Sequence, residues 1–260
     1  MIQIDVIKNY YPDFLSKNII FHKYILKEYI LLMILDYLST TPFIRKIAFI
    51  GGTSIRLIKN IDRFSEDLDF DCKSFSKKEF KDMTGGIIKF LLNNGLKVEE
   101  KERDDKKLKA FRCNLHFPEL LFEMGLTGHK EERFLIKIEC QDKLVEYKPE
   151  ITNIKGCGFF FPMPVPSAPV LCAMKVSAML SRQKGRDFYD AMFLLSQTLP
   201  DFAFLSNRNG ISSLDELKQT AKKLFKTVDL KNKARDFEHL LFNRNNSVRI
   251  LRAPEFFESL

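Results

Sequence analysis

The sequence predicts an α+β fold: a β-sheet flanked by helices over residues 1–160, followed by a helical part over 161–260. Three observations predict it. Before residue 141, stretches with helical apolar spacing are interleaved with stretches that alternate apolar and polar. A composition break follows at 141–170, where the Pro-rich FFFPMPVPSAP reads as an extended connection. Beyond it the patterns are helical, at 168–181, 186–196, 213–226 and 231–242.

Each element has a local reason. Residues 14–38 carry apolar side chains at helical spacing and become more apolar toward the end, as in a helix that enters a core. Pro42 follows a Ser-Thr-Thr punctuation and leads to the apolar run Ile47-Ala48-Phe49-Ile50, a core strand. Gly51-Gly52 turns the chain into a short helix that Thr53 or Ser54 is placed to cap. In the strand at 67–72, alternation puts Asp67, Asp69 and Asp71 on one face and Leu68, Phe70 and Cys72 on the other. A helix at 76–94 carries Ser76 and Glu79 at capping-box spacing and Gly95 just past its end. Strands are expected at 96–102, 107–117 and 133–140, with KERDDKK at 101–107 as a solvated turn. Further on, Gly185 is the turn residue between two apolar-striped helices. Asp187 and Asp190 lie in the first turn of the second helix, where the dipole favours them. Its stripe of Phe188, Ala191, Met192 and Leu195 reads as core.

Composition narrows the class. A chain of 260 residues, 45% hydrophobic and 29% charged, can bury a substantial core. Its longest apolar run falls short of the roughly 20 residues that span a bilayer. The N-terminal MIQIDVIKNYYPD has neither a charged leader nor a small-residue cleavage site, so no signal peptide is read. Five scattered cysteines without a CxxC pair, and four dispersed histidines, exclude an evident zinc site and fit free thiols in the cytoplasm. A net charge of +8 and a pI near 9.1 permit a polyanionic partner.

The chemistry concentrates in IAFIGGTSIRLIKNIDRFSEDLDFDC, residues 47–72. A Gly-Gly turn opening a helix offers free backbone N–H groups to a phosphate. Three aspartates on one strand face repel unless water, a cation or a basic partner lies against them. Asp67 and Asp69, two residues apart, can share cations roughly 3.5–4 Å apart. Phosphate donors beside acidic ligands are what a magnesium-dependent nucleotide site needs. A third acid belongs on a neighbouring strand, and Glu139 in RFLIKIEC has that position; Asp71, Glu123 and Asp142 compete with it. Arg56, one turn into the helix, is placed to reach the same phosphates. Arg63 is placed to pair with phosphate or with Asp67.

The order strand, GG-[ST], helix, acid-apolar-acid-apolar strand resembles the DNA polymerase β-like nucleotidyltransferase superfamily. That resemblance implies a mixed β-sheet, a triphosphate on Gly51-Gly52 and magnesium on Asp67 and Asp69. Together with KVSAMLSRQKGRDFYDAMFLL, the motifs GGTSIRLI, RFSEDLDFD and RFLIKIEC resemble the AbiEii/MenT family over about residues 45–200. These are nucleotidyltransferase-like toxins of abortive-infection and type IV toxin–antitoxin systems. The family resemblance implies Gly52, Thr53 or Ser54, Asp67 and Asp69 for nucleotide and metal. It also implies Lys175 for the nucleotide's phosphates or base, and Asp187 as a required acid. Thr53 stands where many superfamily members have Ser, and it keeps the hydroxyl.

The expected activity is magnesium-dependent transfer of an NMP from an NTP to an acceptor hydroxyl, on a tRNA 3′ end or a protein side chain. An antitoxin is the expected protein partner. Two other readings compete: a non-catalytic module that holds nucleic acid or protein through the basic C-terminal half, and phosphodiester hydrolysis by the same carboxylates. Lys218, Lys222, Lys223, Lys226, Lys231 and Lys233 read as a basic solvated face, with an RNA grip as the competing reading.

Overall fold

The structure, a computed structural model, describes residues 2–101 and 110–260. The chain divides into two units: Met1–Lys59, Phe64–Lys143 and Ile151–Val165 in one, and Asn60–Arg63, Leu144–Glu150 and Pro166–Leu260 in the other.

The first unit begins with two short helices, α1 (Ile4–Lys8) and α2 (Asp13–Ser16), and the long α3 (Ile19–Ser39). The helical pattern from residue 14 is thus split. Asn18 takes an extended conformation and its side chain accepts from Ile20 N at 3.1 Å, so α3 starts afresh there. α3 buries side chains around most of its circumference, including Ile25, Leu26, Ile30, Leu31, Ile34 and Leu35. That explains why its later part is apolar at nearly every position.

A five-stranded mixed sheet runs in the order β1 (Ile47–Ile50), β2 (Leu68–Cys72), β5 (Leu135–Gln141), β4 (Phe111–His116), β3 (Glu99–Glu100). β2 and β5 are parallel; the other neighbours are antiparallel. One sheet face is apolar and buried: Leu68, Phe70, Ile136, Ile138, Cys113 and Leu115 lie there. α4 (Gly51–Lys59) joins β1 to the segment before β2, and α5 (Lys77–Asn93) follows β2. The Ser76–Glu79 capping box forms as expected, with Ser76 N donating to Glu79 Oε2 at 2.9 Å and Glu79 N to Ser76 Oγ at 3.2 Å. Phe80 of α5 stacks on Phe111 of β4 at 5.6 Å. A one-turn helix, α6 (Leu120–Glu123), precedes β5. The turn expected at 101–107 lies almost wholly outside the described residues.

The Pro-rich segment is extended, as its composition predicts, and it forms a ribbon. β6 (Glu150–Gly156) pairs with β7 (Phe159–Val165) through a turn at Cys157 and Gly158, both with positive φ. In a two-stranded ribbon one edge of β7 owes no ladder bond, so Pro162 and Pro164 are tolerated there.

The second unit is helical: α7 (Ala168–Arg182), α8 (Gly185–Leu195), α9 (Phe202–Asn209), α10 (Leu214–Phe225), α11 (Leu230–Arg235) and α12 (Ala253–Ser259). The helix expected at 231–242 is shorter than its pattern. Asp236 turns both carboxylate oxygens to Gly185 N at 3.0 Å, and a 3-10 turn at Glu238–Leu240 follows. A Cβ on Gly185 would fall 1.8 Å from the Lys233 carbonyl oxygen, so close helix approach demands glycine there. No helix among the described residues is long and apolar enough to cross a membrane.

Candidate active site

The site is built from the end of β1 upward. All four β1 residues are buried, and the strand runs straight into α4 without an intervening loop. Gly51 makes the bend at φ +84°. The β1–β2 register sets Ile50 opposite Asp69, which brings the next residue, Gly51, against the Asp69 carboxylate. A Cβ on Gly51 would lie 2.3 Å from Asp69 Oδ2. The glycine is therefore required twice, by its backbone angle and by its neighbour. The first N–H groups of α4 have no partner within the helix and open beside that carboxylate.

Thr53 and Ser54 do not cap α4, contrary to expectation, because the helix already starts at Gly51. Thr53 Oγ1 instead donates to the Asp67 carbonyl oxygen at 2.5 Å and ties the segment before β2 to the helix. Ser54 is fully buried, and its Oγ has no hydrogen-bond partner among the described residues.

The carboxylates come together on the polar face of the sheet. Asp69 of β2 is opposite Glu139 of β5, and Glu139 is opposite Arg112 of β4. Across three strands the face reads acid, acid, arginine. Arg112 donates to Glu139 Oε2 from Nη2 at 2.6 Å and from Nε at 3.0 Å. Lys137, on the same face of β5, places Nζ 3.3 Å from Asp67 Oδ2 and 3.8 Å from Glu139 Oε2. Burial pushes the Glu139 carboxyl up, but the Arg112 hydrogen bond and the Lys137 and Arg112 charges outweigh it and hold it below its ordinary value. Glu139 is thus ionised at neutral pH.

The rival acids have partners of their own. Asp71 is buried and accepts from Lys143 N at 2.9 Å, which anchors the segment after β5. Glu123 pairs with Lys97, and Asp142 lies 3.8 Å from Lys73. No three acidic, histidine or cysteine side chains among the described residues converge closely enough to enclose an ion unaided. The donor set nonetheless fits magnesium, which binds through one or two carboxylates and completes its shell with substrate phosphates and water.

Arg56 has a partner. It donates to Glu28 of α3 from Nε at 2.9 Å and from Nη2 at 3.1 Å, and Tyr11 donates to the same carboxylate at 3.0 Å. Glu28 is buried, so Arg56 is its counter-ion within the first unit. In the second unit Lys175 Nζ donates to Asp190 Oδ2 at 2.8 Å, and Arg63 donates to both Asp190 oxygens at 2.7 Å. Burial pushes the Asp190 carboxyl up, yet the charges of Arg63 and Lys175 prevail and hold it at about 2. Asp187 is fully buried, accepts from Lys184 N at 3.3 Å and is paired with Arg182. It caps α8, while the acid that meets Lys175 is Asp190.

Arg112 and Glu28 are charged partners that the sequence analysis did not name, and Asp190 was read there only as an acid of the first helical turn. A signal existed for Asp190. Lys175 and Asp190 lie on opposite arms of the helical hairpin that turns at Gln183-Lys184, and the hairpin brings them face to face. Alternation in RFLIKIEC likewise puts Lys137 on the face of Glu139.

The model of the nucleotidyl transferase AbiEii toxin family, a type IV toxin–antitoxin system, matches residues 34–247. No curated protein matches the chain. Solved structures share the fold. MenT4, a nucleotidyltransferase toxin from Mycobacterium tuberculosis H37Rv, is 16% identical with a TM-score of 0.62, over 100% of this chain and 91% of that one. JHP933 from Helicobacter pylori is 20% identical with a TM-score of 0.54, over 91% of this chain and 90% of that one. From the match over residues 34–247, and with the glycine elbow and paired carboxylates in place, this chain belongs to the AbiEii family of nucleotidyltransferase toxins.

Proposed function

We propose that the protein is a magnesium-dependent nucleotidyltransferase that moves an NMP from an NTP to an acceptor hydroxyl. The observation that carries the reading is the contact of Gly51 with Asp69, itself in register with Glu139. A triphosphate laid on the Gly51-Gly52 elbow meets backbone N–H groups at one end and carboxylates at the other. Asp67 and Asp69 are the ligands for magnesium, which when bound neutralises charge on the α-phosphate and the departing pyrophosphate. Thr53 holds Asp67 in place through its backbone. Glu139, ionised at neutral pH, orients the acceptor hydroxyl and takes its proton once Arg112 yields the carboxylate oxygen. The roles of Lys175 and Asp187 in this reading rest on the resemblance of their motif.

The net charge of +8 favours an RNA acceptor such as a tRNA 3′ end over a protein side chain. A type IV system implies a cognate antitoxin that counters growth arrest. The test is incubation of the protein with each α-labelled NTP, magnesium and total tRNA. Label is expected on RNA, and Asp69→Asn is expected to abolish it. Label on the protein itself would move the acceptor to a side chain, and shortened RNA would replace transfer by hydrolysis. RNA bound with neither label nor cutting would leave a binding module.

A further inference from the structure

The polar face of the sheet carries its own cation. Lys137 lies two residues before Glu139 on β5, and its ammonium stands between two carboxylates on neighbouring chain segments, 3.3 Å from Asp67 and 3.8 Å from Glu139. Arg112 adds a second positive group on the far side of Glu139. Each of these side chains is partly open to solvent, between 20% and 32% exposed, so none is locked by packing. The strand ladder fixes their origins, because Arg112 is opposite Glu139 and Asn114 is opposite Lys137.

This arrangement relieves the repulsion among the acids, and it also competes with any divalent ion that enters beside Asp67. An ammonium and a divalent cation cannot share one carboxylate oxygen at 3.3 Å without strong repulsion. A triphosphate changes the balance, since its oxygens offer the ammonium a new partner as it leaves Asp67. We propose that Lys137 is a tethered counter-ion, which keeps Asp67 from a divalent cation until a bound triphosphate draws it away. The inference rests on the reading of Asp67 and Asp69 as magnesium ligands. Lys137 then acts through those carboxylates as a positioning residue, and metal and nucleotide reinforce each other's binding by the same factor.

The experiment is calorimetric titration of the full chain with manganese, alone and with non-hydrolysable analogues of the four NTPs. Without nucleotide, Lys137→Met is expected to bind manganese roughly five- to tenfold more tightly than the wild type, given the partial screening of an exposed pair. The gain in metal affinity on adding the analogue is expected to shrink in Lys137→Met, and Lys137→Arg is expected to restore it. Asp69→Asn should lose manganese binding in either background. Equal manganese affinity of the wild type and Lys137→Met, with binding still lost in Asp69→Asn, would overturn the counter-ion and leave the active site standing. Manganese binding unchanged in Asp69→Asn would overturn both.

Discussion

Arg63 and Asp190 stand 127 residues apart in the chain and meet through two 2.7 Å hydrogen bonds, Nε to Oδ1 and Nη2 to Oδ2. Both side chains are sealed from solvent, at 1% and 0% exposure. Lys175 is a third member on Oδ2. Arg63→Met strips Asp190 of its bidentate partner and should cost roughly 3–5 kcal/mol, read by urea denaturation. Lys175→Met leaves both Arg63 bonds in place and should cost only about 1–2 kcal/mol. Equal losses would show that the triad does not work as its geometry implies. A loss of nucleotidyl transfer in Lys175→Met well beyond its loss of stability would support a role in nucleotide binding.

The same carboxylate sets an acid limit. Asp190 is held at about 2 against an ordinary 3.8, so its folded-state value is depressed. Its contribution is complete above about pH 4 and is lost as pH falls through about 2. The linkage is worth roughly 2 kcal/mol, undiminished by solvent because the group is fully buried. Unfolding free energy measured between pH 4 and pH 2 should therefore fall less steeply in Asp190→Asn than in the wild type, although the variant is less stable at neutral pH.

Gly51→Ala meets two obstacles, a φ of +84° and Asp69 Oδ2 at 2.3 Å from the new methyl group. A stability cost of about 1–3 kcal/mol is expected, together with transfer lowered on the order of a hundredfold by displacement of the carboxylate. In an Asp69→Gly background the steric part disappears, so the stability cost should fall to that of the backbone angle. An undiminished cost in that background would remove the contact from the explanation.

For Arg56 the structure and the phosphate assignment make opposite forecasts. As the bidentate partner of buried Glu28, Arg56→Ala should lose roughly 3 kcal/mol of stability. Adding Glu28→Gln should recover part of it, because a neutral amide tolerates burial and keeps the Tyr11 bond. A raised KM for NTP with stability unchanged would instead assign Arg56 to the phosphates.

The elbow and the acidic face were legible because strand periodicity is local. Four apolar residues, a Gly-Gly pair and an alternating DLDFD are enough to orient Asp67 and Asp69, and RFLIKIEC orients Glu139 in the same way. What alternation leaves open is which strands lie side by side, so the parallel pairing of Asp69 with Glu139 became visible only in the fold. Charged partners were less legible still. Arg56 and Glu28 are 28 residues apart and Arg63 and Asp190 are 127 apart, and long-range pairing of that kind leaves no periodic trace. The end of α11 was hidden for a related reason, since Asp236 is claimed by Gly185, 51 residues upstream.

The parallel arrangement of β2 and β5 also bears on synthesis. To lay Glu139 beside Asp69 the polypeptide must first traverse α5, β3, β4 and α6. A nascent chain therefore displays its glycine elbow long before the third carboxylate leaves the ribosome. On the role proposed for Glu139, translation interrupted ahead of Leu135 would yield a fragment without the acid that takes the acceptor's proton.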